Sequence, residues 1–225
     1  MTGGKVIGGV DEAGRGCLLG SLVVAGVSAS PSGVRRLKEL GVRDSKKLSP
    51  RKRESLYPEI FKAAEKVCWA SIPPAEIDAV VFRGERLRKL NYLEAVYFAR
   101  VVDQLEVGSV IVDASDVFPE RFARDVSGNL RSRCKVKATH KADRDFTVVS
   151  AASIVAKVER DRQVALLKRE HGDFGSGYPS DPATVSFFAE WLKTGAPLPR
   201  FVRKSWRSWS RYRASIQRRP EAKGA

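Results

Sequence analysis

Three cysteines in 225 residues, Cys17, Cys68 and Cys134, are too few and too scattered for a disulfide framework or a structural zinc site. No pair has CxxC spacing, and this usage fits a reducing compartment, so the expected location is cytoplasmic. Long apolar runs are missing too. Nowhere do about 18 apolar residues follow one another, so no membrane-spanning segment is expected. The opening "MTGGKVIGGVDEAG" has no basic stretch leading into an apolar one and does not read as a signal peptide. Acid is scarce: 26 Asp and Glu stand against 41 Lys and Arg, a net charge of +15. Such a surface attracts polyanions, nucleic acid foremost. The plainer explanation is a generally charged surface of the thermophile kind.

What is present suffices for one hydrophobic core, since 43% of residues are hydrophobic. Lys5–Val10 and Leu22–Ser28 are apolar, β-rich runs on either side of a Gly-rich loop. Helical spacing follows in "GVRRLKELG" and again after Ser49, a predicted N-cap with Pro50 at the first helical position. Val67–Ile72 reads as a strand, "PAEIDAVVF" and "LRKLNYLEAVYFARVVDQL" as helices, Ser109–Ser115 and "CKVKATH" as strands. The Ala- and Ser-rich "DFTVVSAASIVAKVERDRQVALLKREHG" suits a helix packed tightly on a sheet, and a last helix is expected from about Ala183 to Lys193. The predicted fold class is therefore α/β, a mixed sheet with helices on its faces. Residues 1–199 are expected to form the main sheet domain and 200–225 a basic C-terminal helical extension. That extension holds nine Lys and Arg against one acid, Glu221. On a helix, Trp206, Trp209 and Ile216 would share one face, docking on the core, while Arg203, Arg207 and Arg211 would line another and meet phosphates.

Acids stand in unexpected places. Two apolar strands, "VIGGV" and "SVIV", each run into carboxylates, at Asp11–Glu12 and at Asp113. Each acid alone has an ordinary reading as a turn or cap. If the two strands form a parallel pair, however, Asp11 and Asp113 converge at their carboxyl ends, where α/β sheets place their sites. Spacing does not separate Asp143 from Asp145 as a further member. Clustered carboxylates repel unless a cation compensates them, and hard oxygen ligands without a Cys/His set point to Mg²⁺ or Mn²⁺. A basic surface around an acidic metal pocket suits phosphodiester hydrolysis with two ions. The loop "GRGCLLG" is not a dinucleotide-binding turn. Its spacing is GxGxxxG, and a strand-like segment follows it instead of a helix.

The motifs "DEAGRG", "DSKKLS", "VDASD", "HKAD", "VSAASIVAKVERD" and "GDFGSGYPSD", in this order, resemble those of type 2 ribonuclease H (ribonuclease HII), the last in its archaeal form. The resemblance spans about Val6 to Trp206. It implies a ribonuclease H-like sheet with a C-terminal helical part, and an endonuclease that cuts the RNA strand of RNA–DNA hybrids and DNA duplexes 5′ of an embedded ribonucleotide. Products would carry 3′-hydroxyl and 5′-phosphate ends. By resemblance the metal-binding catalytic acids fall on Asp11, Glu12, Asp113 and Asp143. The backbone at Gly14, Arg15 and Gly16 would approach the ribose 2′-hydroxyl, Tyr178 would pack on the neighbouring sugar, and Lys46 and Lys47 would contact phosphate. Partners would be hybrid and ribonucleotide-containing duplexes, with no membrane, the protein itself a monomer. His140 reads as a surface or supporting residue.

This chain departs from the family's common "GRGPxxGPL": Cys17 and Ser21 replace both prolines, which opens the question of what stiffens the loop. With ten residues before Asp11, an additional N-terminal domain of the type 3 kind is not expected. Two other readings compete: a non-catalytic nucleic-acid binder with structural acids, and another two-metal nuclease on a similar sheet.

Overall fold

The computed structural model describes residues 5–43, 45–83 and 89–206. Five strands form one sheet: β1 (Ile7–Ala13), β2 (Leu22–Ala29), β3 (Lys66–Ile72), β4 (Ser109–Asp113) and β5 (Lys135–Thr139). Their order is β3-β2-β1-β4-β5. β2 pairs antiparallel with both β1 and β3, whereas β4 lies parallel to β1 and to β5. The expected mixed sheet is therefore present, and the parallel pair is the one that brings the two acid-bearing strands together. Val10 faces Val112, which sets Asp11 and Asp113 side by side at the next step.

Eight α-helices are described: α1 (Pro31–Glu39), α2 (Pro50–Ala63), α3 (Pro74–Phe82), α4 (Lys89–Leu105), α5 (Pro119–Gly128), α6 (Ala142–Asp145), α7 (Thr147–His171) and α8 (Pro182–Lys193), with a 3-10 turn at Ser45–Lys47. Ser30, Ser49 and Asp181 accept from the backbone N–H of Gly33, Lys52 and Ala183, and a proline follows each cap. This is how the punctuation in the sequence sets the helix starts. α5 was not marked out by the sequence; its buried Phe122 and Val126 are only two apolar anchors in a charged segment.

Alternation along the strands divides the core. Val10, Val24 and Val112 pack with Phe98, Val101 and Phe122 from α4 and α5, while Ala13, Val27 and Ile111 pack with Val149, Ala152 and Ile154 from α7. α7 crosses β1 at Gly9, where a Cβ would stand 2.4 Å from the Val148 carbonyl carbon, so only glycine permits the approach. A third cluster joins Leu18 and Leu19 of the loop after β1 to Phe174, Phe188, Phe201 and Val202. The helical part towards the C-terminus thus backs the Gly-rich loop.

The segment 200–206 consists of turns and one bridge, Leu19 to Val202, instead of the helix expected there. Arg203 is correspondingly not on a solvated basic face: it is fully buried. Arg207, Trp209, Arg211 and Ile216 lie outside the described residues. Among the described residues no helix is long and apolar enough to cross a membrane.

Candidate active site

β1 continues through the acids instead of stopping before them, so Asp11 and Glu12 project to opposite faces of the sheet. Asp11 turns towards α7 and is buried. There it meets Ser153 and the ammonium of Lys157, yet burial outweighs both and raises its carboxyl above the ordinary value. Glu12 turns towards α4. Burial, with Asp11, Glu94 and Asp113 nearby, pushes its carboxyl well up, and one of its oxygens is buried without a hydrogen bond. Asp113 ends β4 and accepts from the Ala142 N–H at 3.0 Å; burial and Asp11 push it up to about 6. Asp143, on the single turn of α6, is buried, and neither carboxylate oxygen has a hydrogen bond. Its nearest cation is Lys46, with Nζ 3.5 Å from Oδ2.

Two further acids lie close by in the chain, one of them the Asp145 that spacing did not separate from Asp143. Asp145 is exposed and lines a different hollow. Asp116 is buried but fully engaged: it accepts from the Phe118 N–H (2.9 Å), Asn91 Nδ2 (3.1 Å) and both ends of the Arg121 guanidinium. Against the opposing effect of burial, these bonds hold its carboxyl down to about 2.

Beside Glu12 opens a cleft of about 430 Å³ lined by Ala13, Gly14, Arg15, Gly16, Lys46 and Tyr178 together with Arg53, Lys157, Arg160 and Asp161. Gly14 has φ +84°, a conformation that needs glycine, and carries the chain into the loop. Gly16 opens towards Tyr178: a Cβ there would lie 3.9 Å from the ring. Arg15 lines the cleft, and its guanidinium is tied to neighbouring side chains. Nε bonds Glu94 at 2.8 Å and Nη2 bonds Asn91 at 2.7 Å. Lys47 shares a turn with Lys46 without lining the cleft. His140 is exposed, with Nε2 3.2 Å from the Val117 carbonyl.

The loop that lacks its prolines is held by other means. The Leu18 N–H donates to Gly177 (2.8 Å) and the Gly20 N–H to Phe201 (2.8 Å). Buried Arg203 donates from Nε to the Gly20 carbonyl (2.9 Å) and from Nη1 to that of Arg15 (3.0 Å). Burial lowers its guanidinium to about 10, still charged at neutral pH. Arg160 donates to the Cys17 sulfur at 2.8 Å and lies 4.8 Å over the Tyr178 ring, so one side chain fixes both walls of the cleft.

Several of these residues escaped sequence reasoning. Ser153, Lys157 and Arg160 recur on one face of α7, polar steps in an otherwise Ala- and Val-rich helix, and that interruption was a usable signal. Lys157 Nζ bonds Ser153 (2.6 Å) and Ser45 (2.8 Å), and burial lowers it from the ordinary lysine value. Asn91 and Glu94 gave no such sign.

Among the described residues, no three Asp, Glu, His or Cys side chains stand close enough, as they lie, to hold a metal ion. The donor set nonetheless fits a hard divalent cation. It is all oxygen, it is held apart by like charge, and three of its buried oxygens lack hydrogen bonds, two on Asp143 and one on Glu12.

Comparison with known proteins adds the following. The family model of ribonuclease HII matches residues 8–209. A ribonuclease HII of Cenarchaeum symbiosum is 49% identical over 199 residues, 88% of this chain and 94% of the relative. The crystal structure of ribonuclease H2 from Pyrococcus horikoshii superposes with TM-score 0.84 at 36% identity, covering 95% of this chain and all of that one. The ribonuclease HII of a PCNA:RNase HII complex from Archaeoglobus fulgidus superposes with TM-score 0.81 at 40% identity, covering 90% and 95%.

Proposed function

The chain belongs to the ribonuclease HII family and is a ribonuclease H endonuclease, and on that premise we propose that Asp11, Glu12, Asp113 and Asp143 are its catalytic acids. The observation that carries this is the set of buried carboxylate oxygens without hydrogen bonds at one end of the sheet, next to a basic cleft. Its substrates are RNA–DNA hybrids and DNA duplexes with embedded ribonucleotides, cut on the 5′ side to leave 3′-hydroxyl and 5′-phosphate ends. Asp11, Glu12, Asp113 and Asp143 would hold Mg²⁺ or Mn²⁺, two ions on this reading, and the metal would supply Lewis acidity for phosphodiester hydrolysis.

The protein's own part is to bind and orient. Lys46, Arg53 and Arg160 offer cations to phosphates along the cleft. The backbone from Gly14 to Gly16, braced by Arg203, presents amide and carbonyl groups to the ribose 2′-hydroxyl, and Tyr178 packs on the adjoining sugar. Lys157 partly offsets the charge on Asp11 and Asp143. Lys47 adds a phosphate contact farther along the backbone.

Cleavage of three labelled substrates tests this reading: a DNA duplex with one ribonucleotide, an all-DNA duplex and a hybrid, each with Mg²⁺, Mn²⁺ or chelator. The expected result is metal-dependent cutting 5′ of the ribonucleotide and throughout the hybrid RNA, with all-DNA intact. Binding of all three without cutting would instead support a binding protein with structural acids. The basic tail is a substrate-holding arm: deleting residues 210–225 weakens binding and flattens its dependence on salt. A complex with PCNA, as solved for the Archaeoglobus fulgidus relative, is a further expected partnership.

A further inference from the structure

Beyond the cleft, Val117 is the most exposed large apolar residue among the described residues, at 77%, and Phe118 beside it is 58% exposed. Single exposed apolar residues are ordinary. These two are adjacent, and their place in the fold is unusual. They follow β4 by four and five residues, so they stand at the end of the sheet where Asp113 lies. The cleft with Tyr178 opens beside β1, and the 117–118 tip stands on the β4–β5 side of the same acids.

The tip is stiff. The Phe118 N–H is bound by buried Asp116, which also takes Arg121 and Asn91, and Asn91 in turn accepts from Arg15 of the Gly-rich loop at 2.7 Å. The Val117 carbonyl meets His140 at 3.2 Å, on the loop that leads to Asp143. Arg121 covers one face of the Phe118 ring at 4.9 Å. A chain of polar contacts therefore ties an exposed aromatic group to both the recognition loop and the acid-bearing loop. Arg124 follows the tip in α5, and Lys141 and Arg144 follow His140, which meets Val117; all four are exposed, so the surroundings suit a polyanion.

We propose that Val117 and Phe118 form an apolar finger that packs against sugars and bases of the bound duplex, on the opposite side of the acids from Tyr178. The idea rests on the nuclease reading above and extends its binding surface. Rigidity is what gives an exposed aromatic group binding value, because little side-chain entropy remains to be lost on contact.

Two variants test it. Val117→Ser with Phe118→Ser removes the finger from solvent-exposed positions. Binding to an uncleaved hybrid in chelator, and KM with Mg²⁺, are expected to weaken by about five- to tenfold, the low end for loss of one aromatic stacking contact. kcat should stay within about twofold. Phe118→Trp should restore affinity, and its added indole fluorescence should be quenched by duplex, measured as the difference from the unsubstituted protein. Unchanged affinity in the double variant, or an indole at 118 blind to duplex, would overturn the finger, including the case in which the same variant loses a protein partner. Failure of the nuclease reading is separately visible: the unsubstituted protein would then not cut the hybrid at all.

Discussion

Two sets of buried and half-buried acids in this protein meet opposite fates. Asp116 and Asp78 are buried and saturated. Asp116 holds Arg121, Asn91 and a backbone N–H, while Asp78 accepts from the N–H groups of Lys204 and Ser205 and from the Ser205 hydroxyl. Asp11, Glu12, Asp113 and Asp143 are gathered with fewer partners and more like charge. Asp116 is held down to about 2, whereas Asp113 is pushed up to about 6. A fold that satisfies one set so fully does not leave the other short for want of donors. The shortage is what supports the proposal that the second set is kept for a ligand, while the saturated set fixes the loops around it.

The contrast can be broken most severely at its functional end. Asp143→Asn should lower cleavage of a hybrid by more than about a thousandfold, while binding in chelator stays within about threefold. Equal loss of binding would make Asp143 a structural acid like Asp116. Next in size is Arg203→Met, which strands the carbonyls of Arg15 and Gly20. Urea unfolding should report a loss of about 3 kcal/mol, with KM raised because the recognition loop loses its brace.

Asp116→Asn should cost about 2 kcal/mol at pH 7. Its folded-state carboxyl sits below the unfolded value, so its contribution is complete above about pH 4 and is lost as pH falls towards about 2. The gap between variant and parent should therefore close over that interval. A gap independent of pH would mean that packing, and not charge, is what Asp116 supplies.

The smallest effect has the opposite sign. With chelator present at pH 7.5, Asp113→Asn should stabilise the protein by about 1 kcal/mol, a figure reduced for solvent screening of a part-exposed carboxyl. A raised carboxyl is a cost once ionised, so the unsubstituted metal-free protein should gain the same stability as pH falls from about 6 towards 4. Thermal melts across that range check both statements.

How much of this could be read beforehand varied with the distance between partners in the chain. The strands, the helix starts at Ser49 and Pro50, and the acids at the strand ends are local patterns, and local patterns carry over well. Arg203 looked like one more charge on an amphipathic tail. Its burial depends on carbonyls of Arg15 and Gly20, some 180 residues away, which no periodicity announces. Nor does the sequence show that the Arg15 side chain is taken up by Asn91 and Glu94, more than 70 residues away. The missing prolines posed a real question. The answer, an arginine bonded to the substituted Cys17 and lying over Tyr178, needed three segments brought together.

The most direct test of the central claim is the thermal midpoint as a function of Mg²⁺, measured without nucleic acid on the parent protein and on Asp11→Asn with Asp143→Asn. If the second set of acids is kept for a cation, the parent midpoint climbs with Mg²⁺ as ligand binding to the folded state requires, and the variant starts higher and stays flat. A parent midpoint indifferent to Mg²⁺, or a variant that climbs equally, would contradict it.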